Sequence, residues 1–477
     1  MKKNFLSKKL LWLAVFLNII LSSGVTAFAQ TETQTLTLAQ ALEMAFQADY
    51  QVKMDRNSLE QAKLSVKKAA LKILPQATVE GQYQYQTTDS TYPSAYQIVV
   101  TETIPTSYNL YGQKIVSDIG AAMWDQVTAE ATLQISQSEV IYDTYEYYLN
   151  VLKAQQVLKL QEAALVKYKE DSQLAEKQLS LGKITKPEQL KTVNSLNQAE
   201  YDLEKNRSDL DIARQKLANQ LGLEDLSGYQ LEEAGLGGDE FEAQLAALQE
   251  KALQRRLELQ KKEIVIKQAQ RTWAQAKNEE LPAVSVGYTS QNQTQSFGLS
   301  YDFLSGDLSG TLAHKDESYQ SQSDALSGGT GNYYGDKKDY FTLKFSWSLD
   351  FGTAANQTKQ ARYAMDSAKL DLEKQRRDIL LDVSQALADY RLAVRQHDLN
   401  QKALPYYEKD LEIKEVQLKL GAITFTDLSD ARQDALDARI AAAKSVYDRV
   451  LALQQLKKAA GELYPFDQIS RLEGKQP

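Results

Sequence analysis

The sequence has no cysteine and little histidine, glycine or proline. Its 477 residues include 0 Cys, 2 His, 22 Gly and 8 Pro. The lack of Cys excludes disulfides, thiol nucleophiles, cysteine-ligated metal sites and an N-terminal lipid-modified cysteine. So little Gly and Pro favours long regular elements over a protein with many turns. With 55 Lys and Arg against 63 Asp and Glu, the net charge is −8, which argues against a nucleic-acid-binding protein.

No group of residues has the composition of an active site. His397 lies among charged residues in a predicted helix and His314 in a predicted loop, and we expect both side chains to be solvated. The many carboxylates are typical of solvated helix faces with partners four residues away. The sequence therefore predicts a protein that is not an enzyme and that needs no metal or other cofactor.

The first residues have the pattern of an export signal. Four lysines precede an apolar run over 10–21, and Ala27-Phe28-Ala29 then supplies small residues, which predicts a signal peptide over 1–29 that is cleaved after Ala29. An uncleaved anchor is less favoured because the run is about 12 residues long and a membrane-spanning helix needs about 20. No later stretch is long and apolar enough, so any membrane span must be built from strands.

The sequence contains one pattern twice. Leu74-Pro75 recurs as Leu281-Pro282, and Leu181-Gly182 recurs as Leu420-Gly421. The second spacing is longer by about 32 residues, which predicts an insertion in the second copy of a tandem repeat. We place it at 304–338, because this segment is rich in Gly, Ser, Asp and Tyr and has the composition of a loop.

The predicted boundaries are 30–230 for the first repeat and 231–477 for the second. Each copy is predicted to contain a helix, strands, a very long helix, a tight reversal and a further helix. The long runs, 114–181 and 353–420, would each extend about 100 Å at 1.5 Å per residue, so they must pack side by side. Leucines at seven-residue spacing from Leu196 to Leu217 predict coiled-coil packing, and Pro405 is expected to bend or break the second long helix.

Two segments, 77–86 and 341–351, alternate apolar and polar residues, with 96–104 and 284–303 as candidate partners. Such strands fit a half-buried soluble sheet or an outer-membrane barrel, in which the apolar face meets lipid. About four strands per chain leave open edges, which hydrocarbon does not allow, so several chains would have to share one barrel. Three copies would supply about 12 strands. The predicted lipid-facing residues are Tyr83, Tyr85, Phe341, Phe345, Trp347 and Phe351.

Acidic residues follow the two reversals. Asp427 and Asp430 share one face of the first turn after Gly421, and Glu188 holds the equivalent place after Gly182. Helix capping and compensation of the helix dipole explain these carboxylates as well as a functional role does.

Short motifs connect this chain to a known family. They are Leu-Thr-Leu-Ala-Gln-Ala-Leu at 36–42, the two Leu-Pro pairs, Leu-Asp-Phe-Gly at 349–352, Leu-Gly-Lys-Ile-Thr at 181–185 and Leu-Gly-Ala-Ile-Thr at 420–424. Each motif is loose, but their order, duplication and spacing are specific. Over essentially the whole mature chain, the sequence resembles the TolC-like outer membrane efflux proteins.

The resemblance implies a mainly α-helical homotrimer. A long antiparallel α-helical barrel would cross the periplasm, and a shared 12-stranded β-barrel would sit in the outer membrane in contact with lipid. Such a protein is the exit duct of a tripartite efflux pump or a type I secretion system. Its expected partners are a periplasmic adaptor and an inner-membrane transporter, and no nucleic acid is expected.

The resemblance also assigns roles to residues. Asp427, Asp430 and Glu188 would line the periplasmic aperture as rings of carboxylates, and the tips carrying Gly182, Thr185, Gly421 and Thr424 would dock the adaptor. Leu418 and Ile423 occupy the places of the aromatic and arginine residues that hold some family members closed, so the latch must differ here.

The alternative is a non-channel exported coiled-coil protein of the surface or an adhesin. It would account for the export signal and the heptads, but not for two sets of strands with aromatic faces. Within the duct interpretation, the cargo stays open among drugs, metal ions, polypeptides and siderophores.

Overall fold

The computed structural model describes residues 34–72, 74–84, 95–105, 117–233, 244–292, 294–315, 338–347 and 352–463. Within these ranges the chain is mainly helical, with one six-stranded sheet and one two-stranded sheet. The predicted fold class, long helices with a β portion, is therefore confirmed. The predicted signal peptide, 1–29, lies outside the described residues.

Two very long helices, α3 (Ser117–Ser180) and α7 (Thr353–Lys419), run the length of the helical part. They contain 64 and 67 residues and are each about 100 Å long, as the uninterrupted helical runs predict. The helices are α1 (Leu38–Ala48), α2 (Tyr50–Leu71), α3 (Ser117–Ser180), α4 (Lys186–Leu221), α5 (Leu245–Arg255), α6 (Leu257–Glu279), α7 (Thr353–Lys419) and α8 (Phe425–Ala459).

Each long helix forms a hairpin with the helix that follows it. Helix α4 packs back along α3 and α8 along α7, while α2 and α6 cover the other halves of α3 and α7, and α8 also contacts α3. Leu203, Leu210 and Leu217 are buried at seven-residue spacing on α4, which confirms the predicted coiled-coil packing.

Of the two outcomes predicted at Pro405, a bend or a break, the break does not occur, because α7 is helical on both sides of this residue; a bend stays a prediction. Proline removes one backbone hydrogen bond and crowds the preceding turn. Contacts with α8 on both sides hold the helix together. The Asn400 side chain donates to the Ala441 carbonyl at 3.1 Å, and the Arg439 Nε donates to Glu408 at 3.1 Å.

The largest apolar core surrounds a short parallel pair of strands, β1 (Gln34–Leu36) and β4 (Tyr229–Leu231). The Tyr148 hydroxyl, midway along α3, donates to the Leu36 carbonyl at 2.8 Å and accepts from the Glu232 amide at 2.9 Å. Because the ring is buried and its hydroxyl is satisfied, it ties the start of the described chain to the end of the first half. We call this region the belt, defined by Leu36, Ala45, Val52, Tyr148, Leu152 and Leu217.

A six-stranded antiparallel sheet lies at one end of the long helices, since α2 and α6 lead into it and α7 begins just after it. Its strands are β2 (Gln76–Gln84), β3 (Ala95–Pro105), β5 (Ala283–Gln291), β6 (Gln295–Asp302), β7 (Asp307–Lys315) and β8 (Lys338–Ser346). Their order in the sheet is β2-β3-β7-β6-β5-β8.

The sheet has six strands, whereas the sequence predicted about four, so the predicted number is wrong. The segment 284–303 forms two strands and not one, and 307–315 is a strand inside the segment predicted as a loop, 304–338. His314 accordingly lies on β7. These short, Gly- and Ser-rich strands have weak local preference and are stabilised by pairing with their neighbours. Residues 316–337 lie outside the described part of the chain.

The same order of elements occurs over 38–221 and 245–459: two helices, strands, a long helix and a returning helix. This order is what a tandem repeat would have. The repeat boundaries 30–230 and 231–477, and an origin by duplication, stay predictions.

Candidate functional site

The tips of the two helical hairpins have the same backbone geometry. Gly182 and Gly421 adopt left-handed conformations, with φ of 68° and 70°. The amide of each glycine donates to the carbonyl three residues earlier, at 2.9 and 3.0 Å, and the next amide donates to the carbonyl five residues earlier, at 2.9 Å in both tips. This arrangement ends a helix and satisfies its last carbonyls. It leaves Leu181 and Leu420 strongly exposed, at 69% and 78%.

The helices that return from the tips begin with capping boxes. The Thr424 amide and hydroxyl donate to Asp427 at 2.9 and 2.8 Å, and Thr185 donates to Glu188 at 2.7 and 2.9 Å. These hydrogen bonds from the backbone and the hydroxyl hold the pKa values of Asp427 and Glu188 below their usual range. The capping explanation of both carboxylates is thus visible in the single chain.

Asp430 has a different environment from Asp427. Its carboxylate lies 3.3 Å from the Lys191 ammonium of α4, and beside it the Ser195 and Ser429 hydroxyls are 3.0 Å apart. Both members of the ion pair are exposed, so the pair joins the hairpins weakly. The structure thus brings Asp430 beside α4, while the role of Asp427, Asp430 and Glu188 in an aperture depends on other copies and stays a prediction.

A cluster behind the tips was missed by sequence reasoning. The Arg432 guanidinium of α8 pairs with Asp171 of α3 and, at 3.2 Å, with Glu415 of α7. The Arg432 and Asp171 side chains are mostly buried, and next to them the Tyr168 hydroxyl donates to Gln433 at 2.9 Å. Burial raises the pKa of Tyr168 to about 12. Arg432 and Asp171 are 261 residues apart, so no local pattern connects them.

The six-stranded sheet has one largely apolar face, which also carries Glu102 and His314, and one largely polar face. Phe341, Phe345 and Trp347 are exposed at 82%, 63% and 58%, and Tyr83 of the opposite edge strand is also exposed. Tyr288 contacts Phe341 with 5.0 Å between ring centroids, so the apolar face extends across neighbouring strands. The predicted lipid-facing residues Tyr85 and Phe351 lie outside the described residues.

Two apolar stripes run along the outside of the helices. On α7 the exposed stripe residues fall within about 20° of a single line along the helix axis. A second exposed set lies on α2 and α4, in the other half of the chain. Helix α2 leads into edge strand β2, and edge strand β8 leads into α7, so the exposed residues of α2 and the α7 stripe each adjoin one edge of the sheet. The α7 stripe is Tyr363, Leu370, Leu381, Leu392, Leu399 and Tyr406, and the second is Tyr50, Met54, Leu64, Leu71, Leu190, Tyr201 and Ile212.

None of the described helices contains a stretch that is long and apolar enough to cross a membrane.

Comparisons with known proteins agree with this geometry. The sequence matches the family described as "Outer membrane efflux protein" over residues 41–223 and 248–462. The outer membrane protein TolC of Vibrio cholerae is 28% identical over 134 residues, which is 28% of this chain and 30% of that protein.

Solved structures show the same fold. The CmeC outer membrane channel of Campylobacter jejuni is 16% identical, with a TM-score of 0.68 over 90% of this chain and 86% of that chain. The outer membrane protein VceC of Vibrio cholerae is 14% identical, with a TM-score of 0.69 over 89% of this chain and 96% of that chain.

Proposed function

The chain belongs to the outer membrane efflux protein family, and from this premise we propose that three copies form a closed duct that carries cargo out through the outer membrane. The duct would be the exit of a tripartite pump or a type I secretion system. The observation that carries the proposal is the six-stranded sheet with a largely apolar outer face, in which the outer strands β2 and β8 each have one neighbouring strand among the described residues.

The apolar stripes support a ring of copies. The α7 stripe and the α2–α4 stripe are different surfaces on opposite halves of the chain, and each adjoins a different sheet edge. Contacts between two different surfaces generate rings when the rotation closes. A ring would cover both stripes and pair β8 of one copy with β2 of the next. In lipid, such closure leaves no unpaired strand edge.

A duct of this kind needs partners on its periplasmic side. We assign the adaptor-docking surface to the hairpin tips, with Gly182, Thr185, Gly421 and Thr424 shaping the turns and Leu181 and Leu420 offering exposed apolar contacts. An inner-membrane transporter would complete the assembly. Asp427, Asp430 and Glu188 would then face the axis near the entrance as carboxylate rings that attract cations.

Mass measurement of the full chain, extracted from membranes in mild detergent, tests the duct. We expect three copies, and defined conductance steps when the complex enters a planar bilayer. Leu392→Glu with Leu399→Glu should reduce the mass to that of one chain, because charges on the α7 stripe oppose contact between copies. Lys402→Glu, an exposed substitution on the same helix, is the matched control. A water-soluble single chain in the periplasmic fraction would contradict the proposal.

A further inference from the structure

The sheet contains a strand hairpin, β6–β7, inserted between β3 and β5. Strand β3 pairs with β7 over nine residue positions, β7 with β6 over seven, and β6 with β5 over seven. Strands β5 and β8 pair directly on the other side of β5. The hairpin therefore adds two strands within the ladder and does not lie over it.

The turn between β6 and β7 is built into the end of the sheet nearest the helices. The Asp302 carboxylate accepts from the Leu304 and Ser305 amides, both at 2.8 Å, and Gly306 adopts a left-handed φ of 75°. The Phe303 amide donates to the Val284 carbonyl at 2.9 Å, which extends the ladder past the end of β6. These bonds specify a tight reversal at this point.

The inserted strands continue both faces of the sheet. Their outward positions carry Phe297, Leu299 and Leu312, and Phe297 pairs with Leu312, which in turn pairs with Val100 of β3. The opposite face carries small or polar residues, such as Ser300 and Thr311. In a barrel strand, this alternation places the apolar side against lipid and the polar side toward water.

The number of strands permits closure between copies. Six antiparallel strands make the edges β2 and β8 run in opposite directions, so β8 of one copy can pair antiparallel with β2 of the next. Three copies then contribute about 18 strands, where four strands per copy would contribute about 12. At 4.8 Å between strands and a tilt of about 40°, the backbone diameter is about 36 Å for 18 strands and about 24 Å for 12.

We propose that the β6–β7 hairpin widens the outer-membrane barrel to 18 strands and makes it an exit for large hydrophilic solutes. This inference rests on the proposed three-copy duct. The inward face supports the class of cargo, because most of its positions carry Thr, Ser, Gln or Gly and it includes charges of both signs, Glu80 and Lys344. Its apolar positions, such as Val99, Ala283 and Ala313, are few. Small apolar compounds need neither this width nor such a lining.

Engineered cysteine pairs test the strand order, since the chain has no cysteine of its own. Thr101 of β3 pairs with Thr311 of β7, while Thr289 of β5 lies in the same row three strand spacings away, at about 14 Å. Thr101→Cys with Thr311→Cys should form a disulfide in outer membranes, and Thr101→Cys with Thr289→Cys should not, because bridged residues lie within about 7 Å. The opposite result would show β3 beside β5 and overturn the 18-stranded barrel.

Polymer access tests the width. Maleimide polymers of graded size are added outside intact cells carrying Thr311→Cys, and Thr294→Cys in the β5–β6 turn is the control that should react with all sizes. Reagents of about 20 Å should label Thr311→Cys if the lumen is wide. Exclusion of all reagents above about 12 Å would overturn the wide exit. Mass and conductance of the same variants distinguish a failure of the wide exit from a failure of the proposed duct. Variants that do not form three-copy pores would contradict the duct itself.

Discussion

The belt and the hairpin tips hold the same helices together by different chemistry. In the belt, Tyr148, Leu152 and Leu217 are fully buried in an apolar cluster, and the only polar group of these side chains, the Tyr148 hydroxyl, is satisfied. At the tips, the hairpins meet through the Arg432 cluster, the exposed pair of Lys191 and Asp430, and capping boxes. Apolar burial stabilises one packed arrangement, whereas the exposed polar partners at the tips can be exchanged for water or other charges at small net cost.

The glycines at which the helices reverse also differ between the belt and the tips. Gly222 at the belt and Gly421 at a tip have nearly the same φ, 69° and 70°. A Cβ on Gly222 would lie 2.7 Å from the Ala48 Cβ, while a Cβ on Gly421 would meet nothing within 4 Å. The belt therefore needs glycine for space as well as for conformation, and the tip needs it for conformation alone.

Leu217→Ala should have the largest effect on stability. This side chain is 0% exposed on α4, so its truncation leaves a cavity and should lower the free energy of unfolding by about 3 kcal/mol. Denaturant unfolding in detergent, followed by circular dichroism, measures the loss. The exposed neighbour substitution Lys216→Ala should stay within about 0.5 kcal/mol. Equal losses for both variants would contradict the tight packing of the belt.

Arg432→Met should have the next largest effect, and it should be confined to the tips. The substitution leaves the mostly buried Asp171 without its cation, which we expect to cost about 1–3 kcal/mol. Hydrogen exchange of the first turns of α8 should accelerate while belt amides keep their protection. Adding Asp171→Leu should restore much of the protection, since it removes the uncompensated charge.

The control for Arg432→Met is Lys191→Met, which breaks the exposed pair with Asp430 and should change tip protection by less than about 1 kcal/mol. Equal effects of the two variants would show that burial of the Arg432 cluster contributes nothing.

Alanine substitutions at Gly222 and Gly421 should differ in the stability that each of them costs, and this difference should be smaller than the effects above. Gly222→Ala and Gly421→Ala share the cost of a left-handed residue, so their difference isolates the contact with Ala48. We expect Gly222→Ala to be less stable than Gly421→Ala by about 1–2 kcal/mol, because the belt must shift to admit the methyl group. Gly222→Ala combined with Ala48→Gly should remove most of that difference; an unchanged difference would exclude the contact as its cause.

Acidification should cause the smallest loss of stability, and this loss should again be confined to the tips. The pKa values of Asp427 and Glu188 are lowered in the folded chain from ordinary values of 3.8 and 4.5. Their capping therefore contributes fully above these ordinary values and is lost as the pH falls through the lowered ones. Hydrogen exchange of the first turn of α8, corrected for its intrinsic pH dependence, should show less protection below about pH 4. Thr424→Val with Asp427→Asn should abolish this dependence, and a pH-independent wild type would contradict it.

Several features of the candidate site follow from local sequence. Gly182 and Gly421 end helices because a residue without Cβ adopts positive φ at little cost, and the Thr residues that follow begin the next helix by capping. The alternation from Phe341 to Trp347 likewise predicted an exposed apolar face. These features depend on residues close together in the chain.

Other features had no local pattern. The Arg432 cluster joins three helices, and each of its charges resembles an ordinary solvated helix residue. Strand β7 consists of small and polar residues around Leu308 and Leu312, which resemble a loop until β3 and β6 lie on either side. Pro405 predicted a bend or a break, yet α7 continues through it, with contacts to α8 on both sides of this residue.

Periodicity, glycine conformation and short motifs are properties of neighbouring residues, so the long helices, their reversals, the two faces of the strands and the family could be predicted from the sequence. The folded chain was needed to show that the sheet has six strands, that Tyr148 bonds Leu36 of β1 and Glu232 just after β4, and that Arg432 meets Asp171. Strand pairing, core packing and buried ion pairs are formed by residues distant in sequence, and their free energy depends on partners that no local pattern identifies.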